Sequence, residues 1–212
     1  MRYKPEQKEQ TAANILAAAA REFRLGGFGG TGVDGLAKEA GVTSGAFYKH
    51  FPSKTAAFEA AVVAGLEDFR RGIETFQAEG GDEWLTALTD YYLGLEHRAN
   101  LAGSCVVPGL SAEVIRSTDE VRTVYQVGLE RIAAAMQLGF PGLGEQERKQ
   151  RSWALLAMLT GGVILSRAVR GEKVANEIAE AAHDAVLALG EASTTGPATP
   201  PARKKTQRSK KD

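Results

Sequence analysis

A chain of 212 residues, 43% hydrophobic and with one cysteine, is long enough for one large domain or for a small domain and a larger one. That composition excludes wholesale disorder, an internal disulfide and a cysteine zinc site, and no apolar run reaches the ~18 residues of a membrane span. The formal net charge of zero hides a pattern: residues 1–54 hold 8 Lys and Arg against 5 Asp and Glu, residues 55–195 hold 12 against 20, and residues 196–212 hold 6 against 1. An acidic body between basic ends predicts that any polyanion meets the ends. The polar start MRYKPEQKEQ lacks the apolar stretch of a signal peptide, so a cytoplasmic protein is expected.

Residues 1–10 are expected to form a mobile basic-polar arm in which Arg2, Lys4 and Lys8 can touch phosphate or simply be solvated. Ala12, Ile15, Leu16, Ala19 and Phe23 place one apolar stripe on a first helix over 11–25. Gly26, Gly27, Gly29 and Gly30 should break it, with Phe28 among them as a plug for a small core. Thr31 then caps the next helix or meets a phosphate.

Residues 33–51, VDGLAKEAGVTSGAFYKHF, predict two short helices joined by a tight turn. Val33, Leu36, Ala37 and Ala40 share one stripe. Gly41 is a helix stop, because glycine takes the left-handed cap conformation at little cost. Thr43 or Ser44 can cap the second helix, and Phe47 and Phe51, four apart, give it a buried side. The opposite side is rich in donors. This pattern fits a helix-turn-helix whose second helix enters the DNA major groove.

Pro52 follows, with Ser53 as a candidate N-cap. Lys54 then opposes the helix dipole unless an anion is near. Phe58, Val62, Leu66, Phe69, Ile73 and Phe76 repeat at steps of three and four, so a long helix is expected over 54–78.

The stretch GGFGGTGVDGLAKEAGVTSGAFYKHFPSKTAAFEA closely resembles the N-terminal domain of the tetracycline-repressor (TetR) family of transcription regulators. The resemblance is carried by Gly27-Phe28, Thr31, Val33, Leu36-Ala37, Ala40-Gly41-Val42-Thr43, Gly45, Phe47-Tyr48, His50-Phe51 and Ser53-Lys54, within residues 11–65. It departs at Gly32, Asp34 and Gly35. An acid at Asp34 argues against a phosphate contact there, and Gly35 should loosen its helix by roughly 1 kcal/mol relative to Ala.

The resemblance implies an all-α protein: an N-terminal three-helix DNA-binding domain (1–53) and a larger helical effector-binding and dimerisation domain (54–191). It implies phosphate contacts by Thr43, Tyr48, His50 and Lys54, with Thr31 a further candidate. It implies base-edge contacts by Ser44, Gly45, Ala46 and Lys49. Lys49 is the one long donor among the latter, suited to guanine, and Tyr48 can alternatively serve the small core through its ring. No cofactor, metal or catalytic group is expected, and repression is the family default.

Beyond residue 80 the pattern predicts helices over 82–98, 104–117 with Pro108 in its first turn, 119–138, 145–170 and 172–190. Trp84, Tyr91, Tyr92, His97, Cys105, Tyr125, Trp153 and Met158 are soft or polar-edged residues on these helices. Together they are candidates to line a pocket for a small apolar or aromatic effector; singly, each is more often plain core. The 145–170 helix is apolar almost all round and must be covered on several sides. The 172–190 helix carries Val174, Ile178, Ala181, Ala182, Ala185, Val186 and Leu189 on one face. By the resemblance, these two helices meet their mates in a homodimer; alternatively they complete the monomer core.

Residues 192–212 turn to Ser, Thr, Pro and Gly and then to a basic run with Arg203, Lys204, Lys205, Arg208, Lys210 and Lys211. They are expected to be disordered, adding sequence-independent DNA affinity or merely solubility. Two rivals stand beside a DNA-binding regulator. One is a dimeric ligand-binding protein without operator binding. The other is a thiol sensor, because Cys105 follows a helix-start signal that can lower a thiol pKa, against the plainer reading of a buried structural thiol. No phosphate loop, metal spacing or nucleophile elbow supports an enzyme.

Overall fold

The computed structural model describes residues 5–191, and among these every regular element is helical. The helices are α1 (Pro5–Gly30), α2 (Val33–Glu39), α3 (Ser44–His50), α4 (Lys54–Gly80), α5 (Trp84–Leu93), α6 (Leu95–Ala99), α7 (Val106–Ile115), α8 (Asp119–Leu138), α9 (Glu145–Ala168) and α10 (Glu172–Glu191); a 3-10 turn, Gly81–Glu83, joins α4 to α5. Arg2, Lys4 and the proposed basic tail lie outside the described residues.

The expected arm is shorter than the sequence suggested, because α1 begins at Pro5 and includes Lys8. Proline suits a first helical turn, where its missing N–H is not needed. The expected glycine break falls at Gly27, whose φ 70° and ψ 176° are non-helical and divide α1 into two helical pieces. A side chain there would meet the Glu113 carboxylate 2.9 Å from its Cβ, so α7 closes directly on this bend.

The head of the molecule is an aromatic knot. Phe23 stacks on Phe28 with centroids 6.0 Å apart, and both meet Phe58 of α4 edge-on, at 5.2 and 5.3 Å. Ile15, Leu36, Ala37 and Phe47 complete the buried interior. Thus α1 and α4 hold α2 and α3 from behind. The turn between α2 and α3 is built as expected: Gly41 has φ 68°, its N–H donates to the Lys38 carbonyl, and Val42 N–H reaches back to Ala37. This pair of bonds satisfies the last carbonyls of α2.

Two expectations about α2 change. Its N-cap is Gly32 with no side-chain cap, because Thr31 instead donates its hydroxyl to Glu22 Oε2 at 3.0 Å. Gly35 is not merely a loose point: a Cβ there would sit 2.6 Å from the Thr31 methyl, which the Glu22 bond holds in place. Close packing supplies a reason for glycine that its helix propensity hides.

In the body, α4 lies against α8 and α5, while α9 packs on α10 and α8. The single helix expected over 82–98 is two, broken at Gly94, where a Cβ would meet the Asp90 carbonyl oxygen at 2.5 Å. The 104–117 helix starts two residues late because Cys105 is its N-cap. The 119–138 helix has the expected bounds, and α9 and α10 end within two residues of theirs. Gly162 lets α10 approach α9, since a Cβ there would lie 2.8 Å from that of Ala182.

The Gly41 position isolates backbone conformation from packing, because nothing lies within 4 Å of an added Cβ. Gly41→Ala should therefore cost about 1–2 kcal/mol from the left-handed conformation alone, and Gly41→Asn less. Denaturant midpoints measure both; an unchanged midpoint for Gly41→Ala would show that this turn does not constrain α3.

Candidate nucleic-acid interface and ligand cavity

The sequence places donors around α3, and the fold decides which face outward. Phe47 is fully buried and Phe51 partly so, which pins the back of α3 to the aromatic knot. Thr43, Gly45, Tyr48 and Lys49 are exposed; Ser44, Ala46 and His50 are half-exposed. Thr43 is the N-cap, its oxygen accepting Ala46 N–H at 3.2 Å. Its hydroxyl proton can still point away from the helix. Tyr48 is 54% exposed, yet its ring meets the buried Phe47 ring edge-on at 5.7 Å, so it both borders the small core and faces outward.

Ser44 donates its hydroxyl to Asp34 Oδ1. Asp34 thereby fixes the start of α3 to α2, and the Ser44 oxygen is turned toward accepting rather than donating. Thr31 has likewise committed its donor to a carboxylate. Lys54 resolves its conflict with the helix dipole in an unforeseen way: its Nζ lies 4.5 Å from the centre of the Phe28 ring, where the electron-rich face attracts a cation. Ser53 caps α4 by accepting Ala56 N–H. Lys8 and Thr11 of α1 share a surface hollow with Thr43, Ala46, Lys49 and His50. Thr11 was not singled out from sequence, because its place opposite α3 depends on the angle at which α1 crosses.

A cavity of about 200 Å³ lies between α1, α4, α5, α6 and the loop before α7. Four of the eight candidate ligand residues line it: Tyr91, Tyr92, His97 and Cys105. Four do not. Trp84, seven residues or ~10 Å of helix from Tyr91, packs edge-on against Phe140. Tyr125 bonds Ser111 Oγ at 2.6 Å, and Trp153 and Met158 of α9 pack into the core. Arg24, Asp68, Phe69 and Phe76 also line the cavity. Arg24 is far from the others in sequence, so helical spacing gave no sign of it.

The polar groups of the cavity are mostly neutral. His97 Nδ1 lies 2.7 Å from the Tyr92 carbonyl and Nε2 accepts the Cys105 N–H. The carbonyl can only accept, so the proton sits on Nδ1. Burial, with the nearby Arg167 charge, lowers the His97 pKa against the opposing effect of that carbonyl. The Tyr92 hydroxyl is enclosed near Cys105 and Thr160, at hydrogen-bonding geometry with neither, and burial pushes its pKa well up.

Cys105 reverses the expectation for a helix-start thiol. Its sulfur accepts Val107 N–H at 3.4 Å, which by itself favours thiolate. Burial outweighs this bond and lifts the thiol pKa to about 11. The resting group is therefore a thiol, and burial opposes the helix-start route to a low thiol pKa. Among the described residues, no group of three or more His, Cys, Asp or Glu could hold a metal, and no helix is long and apolar enough to cross a membrane.

Residues 15–61 match the model for bacterial regulatory proteins of the tetR family. The chain is 29% identical over 161 residues to the HTH-type transcriptional regulator LmrA of Bacillus subtilis, covering 72% of this chain and 84% of that protein. The fold is shared with E. coli NemR in its reduced form, with TM-score 0.68, 22% identity, and 84% and 95% of the two chains covered. It is also shared with a TetR-family transcriptional regulator from Agrobacterium tumefaciens, with TM-score 0.70, 16% identity, and 84% and 98% covered.

The thiol assignment is directly measurable. The rate of Cys105 alkylation by iodoacetamide should keep climbing through pH 9 and beyond. A plateau near pH 8 would mean that helix-start stabilisation outweighs burial.

Proposed function

We propose that this chain, whose residues 15–61 match the model for bacterial regulatory proteins of the tetR family, is a cytoplasmic, ligand-responsive repressor that binds a palindromic operator as a homodimer. One observation carries the DNA half of this reading: α3, pinned by buried Phe47, leaves Thr43, Tyr48 and Lys49 exposed on a helix set at a glycine turn. In this reading Thr43, Tyr48, His50 and Lys54 hold phosphates, while Ser44, Gly45, Ala46 and Lys49 face base edges. Gly45 permits close approach, and the Ala46 methyl suits a thymine methyl. Lys8 adds a cation from α1.

The dimer half is supported by apolar surface that the monomer leaves uncovered. The apolar face expected on α10 divides. Ala182 and Val186 turn inward, while Val174, Ala181, Ala185 and Ala188 are exposed and Ile178 half-exposed. On α9, Ala157, Ile164 and Leu165 are exposed, Leu165 by 57%. Stripes of this kind on adjacent helices fit a self-complementary, twofold interface. Twofold pairing would set two copies of α3 about one DNA turn, ~34 Å, or a multiple apart. The cavity supplies the effector site of this reading, and a ligand there releases DNA only if it binds one arrangement of the heads better than another.

A mobility shift with the DNA flanking the chain's own gene tests the whole reading; a protein that binds ligands but shifts no duplex at low ionic strength would overturn it. Within a working shift, Tyr48→Ala and Lys54→Ala should weaken binding to all sequences. Lys49→Ala should in addition reduce discrimination at one base pair by about 1–3 kcal/mol. Uniform loss for Lys49→Ala in operator titrations would remove its base-reading role. Leu165→Glu should give a folded monomer by sedimentation; an intact dimer would displace the interface from this stripe.

A further inference from the structure

We propose that the cavity receives a small aromatic or arylalkyl carboxylic acid, and that its carboxylate is bound by Arg24, the one cavity-lining residue that belongs to the helix carrying the DNA-binding head. The proposal rests on the effector-site reading and adds to it a ligand class and a point of transmission.

The guanidinium of Arg24 is only partly satisfied. Nη1 donates to the Ala102 carbonyl at 3.1 Å, while Nε is enclosed and has no hydrogen-bond partner. No ion pair among the described residues includes Arg24. Asp68 is the acid on the cavity wall, but it pairs with Arg71 and its side chain is 67% exposed. Withdrawal from water, the largest influence on Arg24, lowers its pKa. A partly desolvated cation with an unused donor is costly in the empty state, and a carboxylate is the group whose geometry matches a guanidinium edge.

The rest of the wall narrows the ligand. His97, Cys105 and Tyr92 favour neutral forms by burial, so none of them competes for the anion or offers a counterion to a cationic ligand. Phe69 stacks on Tyr92 at 5.1 Å and Phe76 leans on Tyr91 at 5.8 Å, giving the cavity aromatic walls. Its volume of about 200 Å³ falls below the ~300–1,000 Å³ typical of sites for drug-sized ligands. One ring with a short acidic arm fits these limits better than a long acyl chain.

Arg24 also supplies the differential contact that release of DNA requires. It follows Phe23, which is buried in the aromatic knot behind α3. Its stem runs past Gly109 of α7, where an added Cβ would lie 3.4 Å from Arg24 Cγ. Its Nη1 ties α1 to the loop that leads to Cys105. A carboxylate drawn onto the guanidinium would therefore bridge the head to α4 and α5, holding α1 in one orientation.

The test uses the full chain and a fixed set of probes: benzoate, phenylacetate and 4-hydroxybenzoate, each beside its carboxamide, read by titration calorimetry and by DNA mobility shift. At least one acid should bind, with its amide weaker by about tenfold or more. Arg24→Gln should abolish that preference, and Arg24→Lys should restore only part of it. Gly72→Leu provides a second route should Arg24 variants fail to fold. Gly72 lines the cavity with nothing within 4 Å of an added Cβ, so the new side chain should fill the space and remove acid binding while DNA is still shifted. The proposal is overturned if no acid binds, if amides bind as well as acids, or if either variant keeps the wild-type preference. Amides that bind equally and release DNA would leave the effector site standing and remove only the carboxylate. Acid binding without any shifted duplex would do the reverse, keeping the ligand class and sinking the regulator.

Discussion

The contact of Phe58 with Phe23 and Phe28 is the constraint on which the rest of this molecule depends. These three rings join α1 to the first turns of α4 and form the back wall against which α2 and α3 rest. Three turns further along the same helix, Phe69 stacks on Tyr92 of α5. A 27-residue helix is ~40 Å long, and aromatic burial holds it near its start at Phe58 and past its middle at Phe69. Head and body therefore share a stiff rod, and whatever tilts α4 or slides α1 along it changes where α3 points.

A second path joins the two parts beside that rod. At Gly27, α1 bends against the Glu113 side chain of α7, and at Arg24 it is tied to the loop before α7. The cavity lies between these two paths. That cavity is bounded by α4 and α5 on one side and by α1 on the other. Charge follows the same division of labour: the exposed cations Lys8 and Lys49 are on the head, and the body carries the acidic excess.

Much of the head was legible in the sequence because its signals are local. The Gly41 turn, the Thr43 and Ser53 caps and the Phe47–Phe51 spacing depend on residues within five positions of each other. The long helices were legible for the same reason, since apolar periodicity needs no knowledge of partners. The misses came from contacts distant in sequence. Gly35 looked like a defect until the Thr31 methyl was placed beside it. For Cys105 the helix start is visible in sequence, but the choice between an activated thiol and a buried structural one depends on packing that is not. Half of the candidate cavity residues fell into the core, and Arg24 was overlooked, because helix spacing gives a residue's face but not what lies opposite. The stripe on α10 was seen as one face and is two, since 3.6-residue periodicity cannot separate a side turned to α9 from a side left bare.

The central claim is that two copies of α3, held by twofold pairing of α9 and α10, dock together on one duplex. Sedimentation equilibrium of the protein with a duplex carrying its operator measures this directly as the mass of the complex. Two chains per duplex, or an even multiple, with binding lost when one half-site is moved by half a helical turn, is the predicted result. One chain per duplex, or indifference to the half-site spacing, would contradict the account.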